Sequence, residues 1–177
     1  MKPKDGLPKL KQPVISRMDD VIFARVLHVL GVVLWIGGVA MVTLVLLPIL
    51  ARMPSATEAT AFFSNFRQRF AAQARITTLL VGISGFYMVY ALNAWSRFLH
   101  WQYWWMHTMV LIWLLFSVML FVMEPRSRRQ PTASAQKDVS SETFVRIQHK
   151  HLFLLLLSLI TIAGAVAGSH GWLIAGS

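Results

Sequence analysis

Four long apolar runs constrain the fold of this chain more than any other feature. They occupy residues 21–50, 76–95, 103–123 and about 151–171. A bilayer hydrocarbon core of ~30 Å needs about 20 apolar helical residues to cross it. Backbone polar groups cannot stay unpaired in lipid, so each run predicts a helix. We therefore expect an all-α fold: an integral membrane four-helix bundle over residues 21–175, preceded by a polar N-terminal tail over residues 1–20.

Charge and composition narrow the class of protein further. The chain has 177 residues, is 56% hydrophobic and carries a formal charge of +10. None of its seven acidic residues lies in an apolar run, so the positive charge belongs to the tail and loops. This pattern is typical of contact with a lipid bilayer that has anionic headgroups. It argues against nucleic-acid binding, because the spans separate the basic residues. The absence of cysteine excludes thiolate metal sites and iron–sulfur clusters.

Capping signals predict where the helices begin and end. The polar residues 16–20 offer caps for the first helix. The sequence Ser55-Ala56-Thr57-Glu58 reads as a capping box, so one long helix is expected to begin near Ala56 and continue into the second span. The fourth helix is expected to begin near Ser141 and to end near Gly171.

Lysine and arginine counts predict an orientation. The two long loops, 51–75 and 124–150, are more basic than the opposite face, although the N-terminal tail is also basic. Positive loops favour the cytoplasmic side, so we expect the loops inside and both termini outside a bacterial-type inner (plasma) membrane. We call the two faces the loop-side face and the tail-side face. Six aromatic residues predict an interfacial belt at the tail-side face: Trp95, Trp101, Tyr103, Trp104, Trp105 and Trp172.

Three histidines lie inside or at the ends of the spans, and chain direction puts all three near the tail-side face. They are His28 in the first span, His107 in the third and His170 at the end of the fourth. Ionisable groups are costly in a membrane, so such residues predict a functional site. Neutral imidazole is a ligand for haem iron, copper and zinc.

The first of these histidines has the most informative surroundings. His28 shares a helix face with Gly31, Trp35 and Gly38, where small residues allow a flat group or another helix to approach. His28 and His107 lie on parallel helices at matching depth, which fits haem b held between two histidines. We therefore predict His28 and His107 as ligands, Gly31 and Trp35 as further cofactor contacts, and His170 as a peripheral ligand.

Other interpretations of the same residues stay open. Copper would favour thioether ligands, and Met106 and Met109 lie beside His107. Alternatively the histidines only pack, in a cofactor-free structural or assembly subunit. No residue is assigned a catalytic role, although a membrane haem oxidoreductase passing electrons to quinone or a redox partner protein is one reading. The GxxxG pattern Gly164–Gly168 predicts a close helix contact, within the bundle or in a homo-oligomer.

Two stretches carry a family resemblance. Leu27-His28-Val29-Leu30 through Trp35-Ile36-Gly37-Gly38 resembles the first helix of the CopD-type copper-resistance membrane family. FRQRFAAQARITTLLVGISG, residues 66–85, looks like that family's arginine-flanked second helix. The haem-binding HemJ-type protoporphyrinogen oxidases are similar in size and four-helix plan. The resemblance covers most of residues 21–170 and implies a ligand role for His28, and copper uptake for a CopD-type protein. Those relatives often carry lysine where His107 stands, so His107 is a candidate by its own chemistry alone.

Overall fold

A computed structural model of the protein describes residues 12–123 and 141–171. The described residues form helices and connections without any strand, which confirms the predicted all-α fold. Four helical stretches are long and apolar enough to cross a membrane: Arg17–Ala51, Ala56–Ala91, Trp101–Met123 and Glu142–Ser169. The chain is thus a multi-pass membrane protein by the length and composition of its helices.

Helices follow one another with short interruptions. In chain order they are α1 (Gln12–Met41), a π-helical segment (Val42–Leu46), α2 (Leu47–Ala51), α3 (Ala56–Ala91), two 3₁₀ segments (Ala94–Leu99 and Trp101–Tyr103), α4 (Trp104–Val118), a second π-helical segment (Met119–Met123) and α5 (Ser141–Ser169). The first π segment joins α1 to α2 without a break, and the second directly continues α4. Four crossings therefore result.

The start of the first helix differs from the prediction. Residues 16–20 were expected to cap it, but α1 begins at Gln12, so the last nine residues of the predicted tail are helical. The reason is that residues 12–20 contain no glycine, and that Pro13 falls in the first turn, where a missing backbone N–H costs nothing. The rest of the predicted tail lies outside the described residues.

The long second helix begins where its capping signal predicts. Ser55 adopts an extended backbone, and its hydroxyl oxygen accepts a hydrogen bond from the Glu58 N–H at 3.2 Å. The other end is corrected: α3 ends at Ala91 instead of Trp95. Asn93 has a left-handed backbone with φ of 48°, which a helix cannot include, and a 3₁₀ segment follows.

Both π-helical segments lie toward the loop-side face. In the first, the Leu47 N–H donates to the carbonyl of Val42, five residues back, directly before Pro48. Proline has no N–H to offer, so the wider turn accommodates a break in the hydrogen-bond ladder. Beside the second, the Nε–H of Arg75 donates to the carbonyl of Leu120 at 3.2 Å. The Arg75 side chain thus provides an additional hydrogen bond to a backbone carbonyl in the π-helical segment that follows α4.

The helices pack as a ring in which α1 contacts α3 and α5, and α4 contacts the same two helices. Helices α1 and α4 are therefore diagonal, and they meet through the rings of Trp35 and Phe116, whose centroids are 5.1 Å apart. One core cluster fills the bundle with Trp35, Ile36, Val39, Val81, Ile112, Phe116 and Leu155. A second lies at the loop-side end and contains Val42, Leu46, Leu47, Leu50, Ala59 and Phe144.

Glycines on α5 receive tryptophan rings of α4. A Cβ atom on Gly164 would lie 2.6 Å from the Trp104 ring, and one on Gly168 would overlap the Trp105 ring. The GxxxG pattern therefore makes a close helix contact within the bundle. This packing also corrects the predicted belt, because Trp105 is only 8% exposed. Trp95 and Trp101 are exposed as a belt requires, and Trp172 lies outside the described residues.

Candidate functional site

His28 joins α1 to α3 inside the membrane-spanning part of the bundle. Its Nδ1 lies 3.0 Å from the carbonyl oxygen of Val81 and 3.2 Å from the hydroxyl oxygen of Ser84. The ring is half-buried between the two helices. One face of it rests against Gly85, where an added Cβ would lie 3.1 Å from the ring. The backbone and small residues of α3 therefore fix the position of this imidazole.

The hydrogen bonds of His28 define which ring nitrogen carries the proton. A carbonyl oxygen can only accept, so the Nδ1–H must donate to Val81. Ser84 is consistent with this, because its own hydroxyl donates to the carbonyl of Leu80 at 2.6 Å and its oxygen remains free to accept. In the neutral ring the lone pair is then on Nε2. Every hydrogen bond described for His28 uses Nδ1, which leaves Nε2 as a ligand atom.

Gly31, predicted to admit a flat group, faces α3 of the same chain. A Cβ on Gly31 would lie 2.8 Å from a methyl group of Val81, and one on Gly38 would lie 2.6 Å from the ring of Phe70. The small residues of this face therefore serve close packing of α1 against α3. Where a glycine of this bundle leaves room for a flat group, an aromatic ring of the same chain occupies the space, as the Phe70 ring does at Gly38.

Trp35 lies two turns below His28 on the same face of α1 and is 4% exposed. Its ring packs edge-on against Phe116, but its Nε1–H has no hydrogen-bond partner among the residues that the structure describes. A buried indole N–H usually has an acceptor. This atom is therefore a donor available for a group bound inside the bundle.

His107 occupies a different setting, at the start of α4. Its Nε2 lies 2.9 Å from the carbonyl oxygen of Phe98 in the connection between α3 and α4, and its ring meets the Phe98 ring edge-on. The side chain is exposed and lines an open surface groove with Trp101, Trp104 and Thr108. The hydrogen bond fastens the connecting segment to α4.

Helical phase explains the outward direction of His107. Trp105, Ile112 and Phe116 are buried and share the face of α4 that points into the bundle. His107 precedes Phe116 by nine residues, or about two and a half turns, which puts it on the opposite face. His28 therefore points at α3, whereas His107 points away from the bundle toward the connection between α3 and α4. Met106 and Met109, the predicted thioether ligands, are half-buried.

His170 follows the last residue of α5 and is exposed. Its Nδ1 lies 2.8 Å from the carbonyl oxygen of Val166, and the Ser169 hydroxyl lies 3.3 Å from the same nitrogen. The ring therefore caps the end of its own helix. Within residues 12–123 and 141–171, no group of three or more His, Asp or Glu side chains is arranged to hold a metal ion. The structure does not bring the three histidines together.

The second helix contributes residues that sequence reasoning missed. Ser84 and Gly85 contact the His28 ring, and the carbonyl of Val81 orients it. The available signal was the presence of three small residues, Gly82, Ser84 and Gly85, within one turn of the adjacent helix. Comparison of the chain with protein-family models, curated proteins and solved structures finds no match.

Proposed function

We propose that the protein is a CopD-like inner-membrane protein that binds a haem b or metal centre through Nε2 of His28 and uses it for electron transfer. The observation that carries the proposal is the hydrogen bond from Nδ1 of His28 to the carbonyl of Val81. Histidines that bind metal usually donate their other ring N–H to a carbonyl or carboxylate, which fixes the tautomer and makes the ligand more basic. His28 has this arrangement.

The residues around His28 also fit the chemistry of a haem. A single histidine is sufficient to hold haem iron on one side. The polar atoms in reach of a buried group include the unpaired Nε1–H of Trp35, which can donate to an oxygen atom. When bound, haem would supply one-electron chemistry; His28 would hold the iron, and the apolar bundle would lower the polarity around it. His107 is the second candidate ligand, but it lies on the outward face of α4, so α4 would have to rotate and the Phe98 hydrogen bond would have to break for its ring to reach the same centre.

A spectrum of the purified protein tests the cofactor directly. The full-length protein is isolated in detergent, and its visible absorption is recorded before and after reduction, together with its copper content. A Soret band that shifts on reduction supports haem. A colourless protein with stoichiometric copper supports the copper-handling alternative. A colourless and metal-free protein contradicts both.

Two substitutions of His28 separate ligation from packing. His28→Gln keeps an N–H donor for the Val81 carbonyl but removes the imidazole ligand, whereas His28→Ala removes both. We expect each variant to lose the centre, and the glutamine variant to keep a melting temperature near that of the parent. His100→Ala, in the exposed connection, is the matched control and should retain the centre. Retention of the full spectrum in the glutamine variant would contradict ligation by His28.

A cofactor-free structural subunit is the second candidate function. Its support is that His28, His107 and His170 each have a backbone carbonyl as a hydrogen-bond partner. A histidine with a purely structural role requires only such a hydrogen bond and no bound metal or haem. In that case His28→Gln would change neither absorbance nor metal content, because there would be no centre to lose. The redox partner, quinone or protein, enters the proposal only if the spectrum shows a centre.

A further inference from the structure

Three buried polar atoms inside the bundle have no hydrogen-bond partner among the described residues: Trp35 Nε1, Thr78 Oγ1 and Ser117 Oγ. They belong to three different helices, α1, α3 and α4. Trp35 is 4% exposed, and Thr78 is completely buried. An unpaired buried polar group costs about 1–3 kcal/mol, so three such atoms in one small bundle require an explanation.

Contacts between the helices put these atoms at one level. Gly31 of α1 lies against Val81 and the carbonyl of Thr77, and the Trp35 ring extends toward that turn, because helical side chains tilt to the N-terminus. The carbonyl of Thr78 accepts a hydrogen bond from the Trp113 Nε1–H at 2.8 Å. Thr78 is therefore level with the turn of α1 that Trp35 covers and close to Trp113.

The third atom is brought to the same level from α4. Ser117 follows Trp113 by one helical turn, on the same side of α4. The next turn of α4 is fixed by the hydrogen bond between Arg75 and the Leu120 carbonyl. Ser117 thus lies between two contacts that join α4 to residues 75 and 78 of α3. Ser117 is therefore placed near the level of Thr78.

Thr78 is also exceptional among the threonines of the helices. The other helical threonines with a described bond donate to the carbonyl three or four residues earlier: Thr43, Thr60, Thr77, Thr108 and Thr161. The Thr78 hydroxyl, in contrast, has no hydrogen-bond partner among the described residues, either in its own helix or outside it. Its hydrogen-bonding capacity is therefore available to a bound molecule.

We propose that Trp35 Nε1, Thr78 Oγ1 and Ser117 Oγ surround an ordered water molecule that bridges α1, α3 and α4. The indole N–H can only donate, and the oxygen of water accepts it. The two hydroxyl oxygens accept the water hydrogens or donate to its second lone pair. Three partners is the usual number for a buried water. Water is also a ligand whose small size suits a site that includes the completely buried Thr78 side chain. The site does not include His28, but the water would take up the Trp35 Nε1–H that an oxygen of a group bound at His28 could otherwise accept, so the two would compete for that donor.

The test replaces one hydroxyl without changing shape. Thr78→Val in the full-length protein, purified in detergent, should lower the melting temperature by roughly 2–4 °C, because the bridging water loses a partner. If the hydroxyl is simply unpaired, the same substitution should leave the melting temperature unchanged or raise it, which would overturn the proposal. Thr161→Val is the matched control, since the hydroxyl of Thr161 is buried but bonded within its own helix.

A second measurement follows the water itself. The ¹⁵N-labelled indole N–H of Trp35, assigned by its loss in Trp35→Phe, should show magnetisation transfer from a long-lived water. Both Thr78→Val and Ser117→Ala should shift this resonance, and the double variant should lose less stability than the sum of the single losses. No water signal, or strictly additive losses with an unmoved resonance, would overturn the proposal.

Discussion

At the residue scale, the position of the His28 ring depends on atoms of α3 that are not themselves candidate ligands. Gly85 leaves just enough room for the ring, and the Val81 carbonyl and Ser84 oxygen receive its N–H. Ser84 can accept because its own hydrogen is committed to Leu80. The tautomer and position of this membrane histidine are thus determined by three residues within about one turn of the neighbouring helix.

Gly85→Ala tests this dependence. The added methyl group would meet the ring at 3.1 Å, closer than normal contact, so His28 must move by a few tenths of an ångström. We expect a loss of about 1 kcal/mol in stability and weaker binding of any centre at His28. Thermal unfolding and absorbance in the same detergent measure both. Gly37→Ala is the control, because a Cβ there meets nothing within 4 Å. Equal stability and binding in the two variants would contradict the role assigned to Gly85.

At the element scale, the contact between α4 and α5 depends on rings seated over glycines. Gly168→Ala would drive a methyl group into the ring of Trp105, which is buried and cannot swing away freely. We expect this variant to lose roughly 1–3 kcal/mol, as overpacked cores do. Equilibrium unfolding in mixed detergent measures the loss. If Gly168→Ala lowered the free energy of unfolding by less than Gly37→Ala, the contact between Gly168 and Trp105 would not contribute to stability.

Sequence patterns predicted the elements better than their contacts. The four spans and the start of α3 at Ala56 follow from apolar length and one capping box, both of which are local signals. The outward direction of His107 could not be predicted, because nearly every residue of the third span is apolar and no face stands out. The unpaired hydroxyl of Thr78 could not be predicted either, because the adjacent Thr77 bonds within its own helix and nothing in the sequence distinguishes the two threonines. Two histidines can bind one centre only if the rotation of each helix about its axis points both rings at that centre. The depth of the two residues in the membrane does not predict this rotation.

At the scale of the whole molecule, four crossings put the connection between α2 and α3 and the connection between α3 and α4 on opposite sides of the membrane. The chain has no cysteine, so single substitutions give unique labels. Ser64→Cys lies in the exposed early part of α3, and Ser96→Cys lies in the exposed connection before α4. We expect a membrane-impermeant thiol reagent to label Ser64→Cys from the cytoplasmic side and Ser96→Cys from the other. Labelling of both from one side would contradict four crossings, and reversed labelling would contradict the charge-based orientation alone.

The guanidinium of Arg75 has a consequence for the membrane as an electrical insulator. Arginine stays charged in proteins, and its hydrogen bond to the Leu120 carbonyl holds this charge at the loop-side end of the bundle. A cation entering the bundle from that side would meet a fixed positive charge in a medium of low polarity, where repulsion is strong. The polar atoms one turn deeper, at Thr78 and Ser117, lie behind this charge. The bundle can thus hold polar groups inside the bilayer behind a positive charge that repels incoming cations.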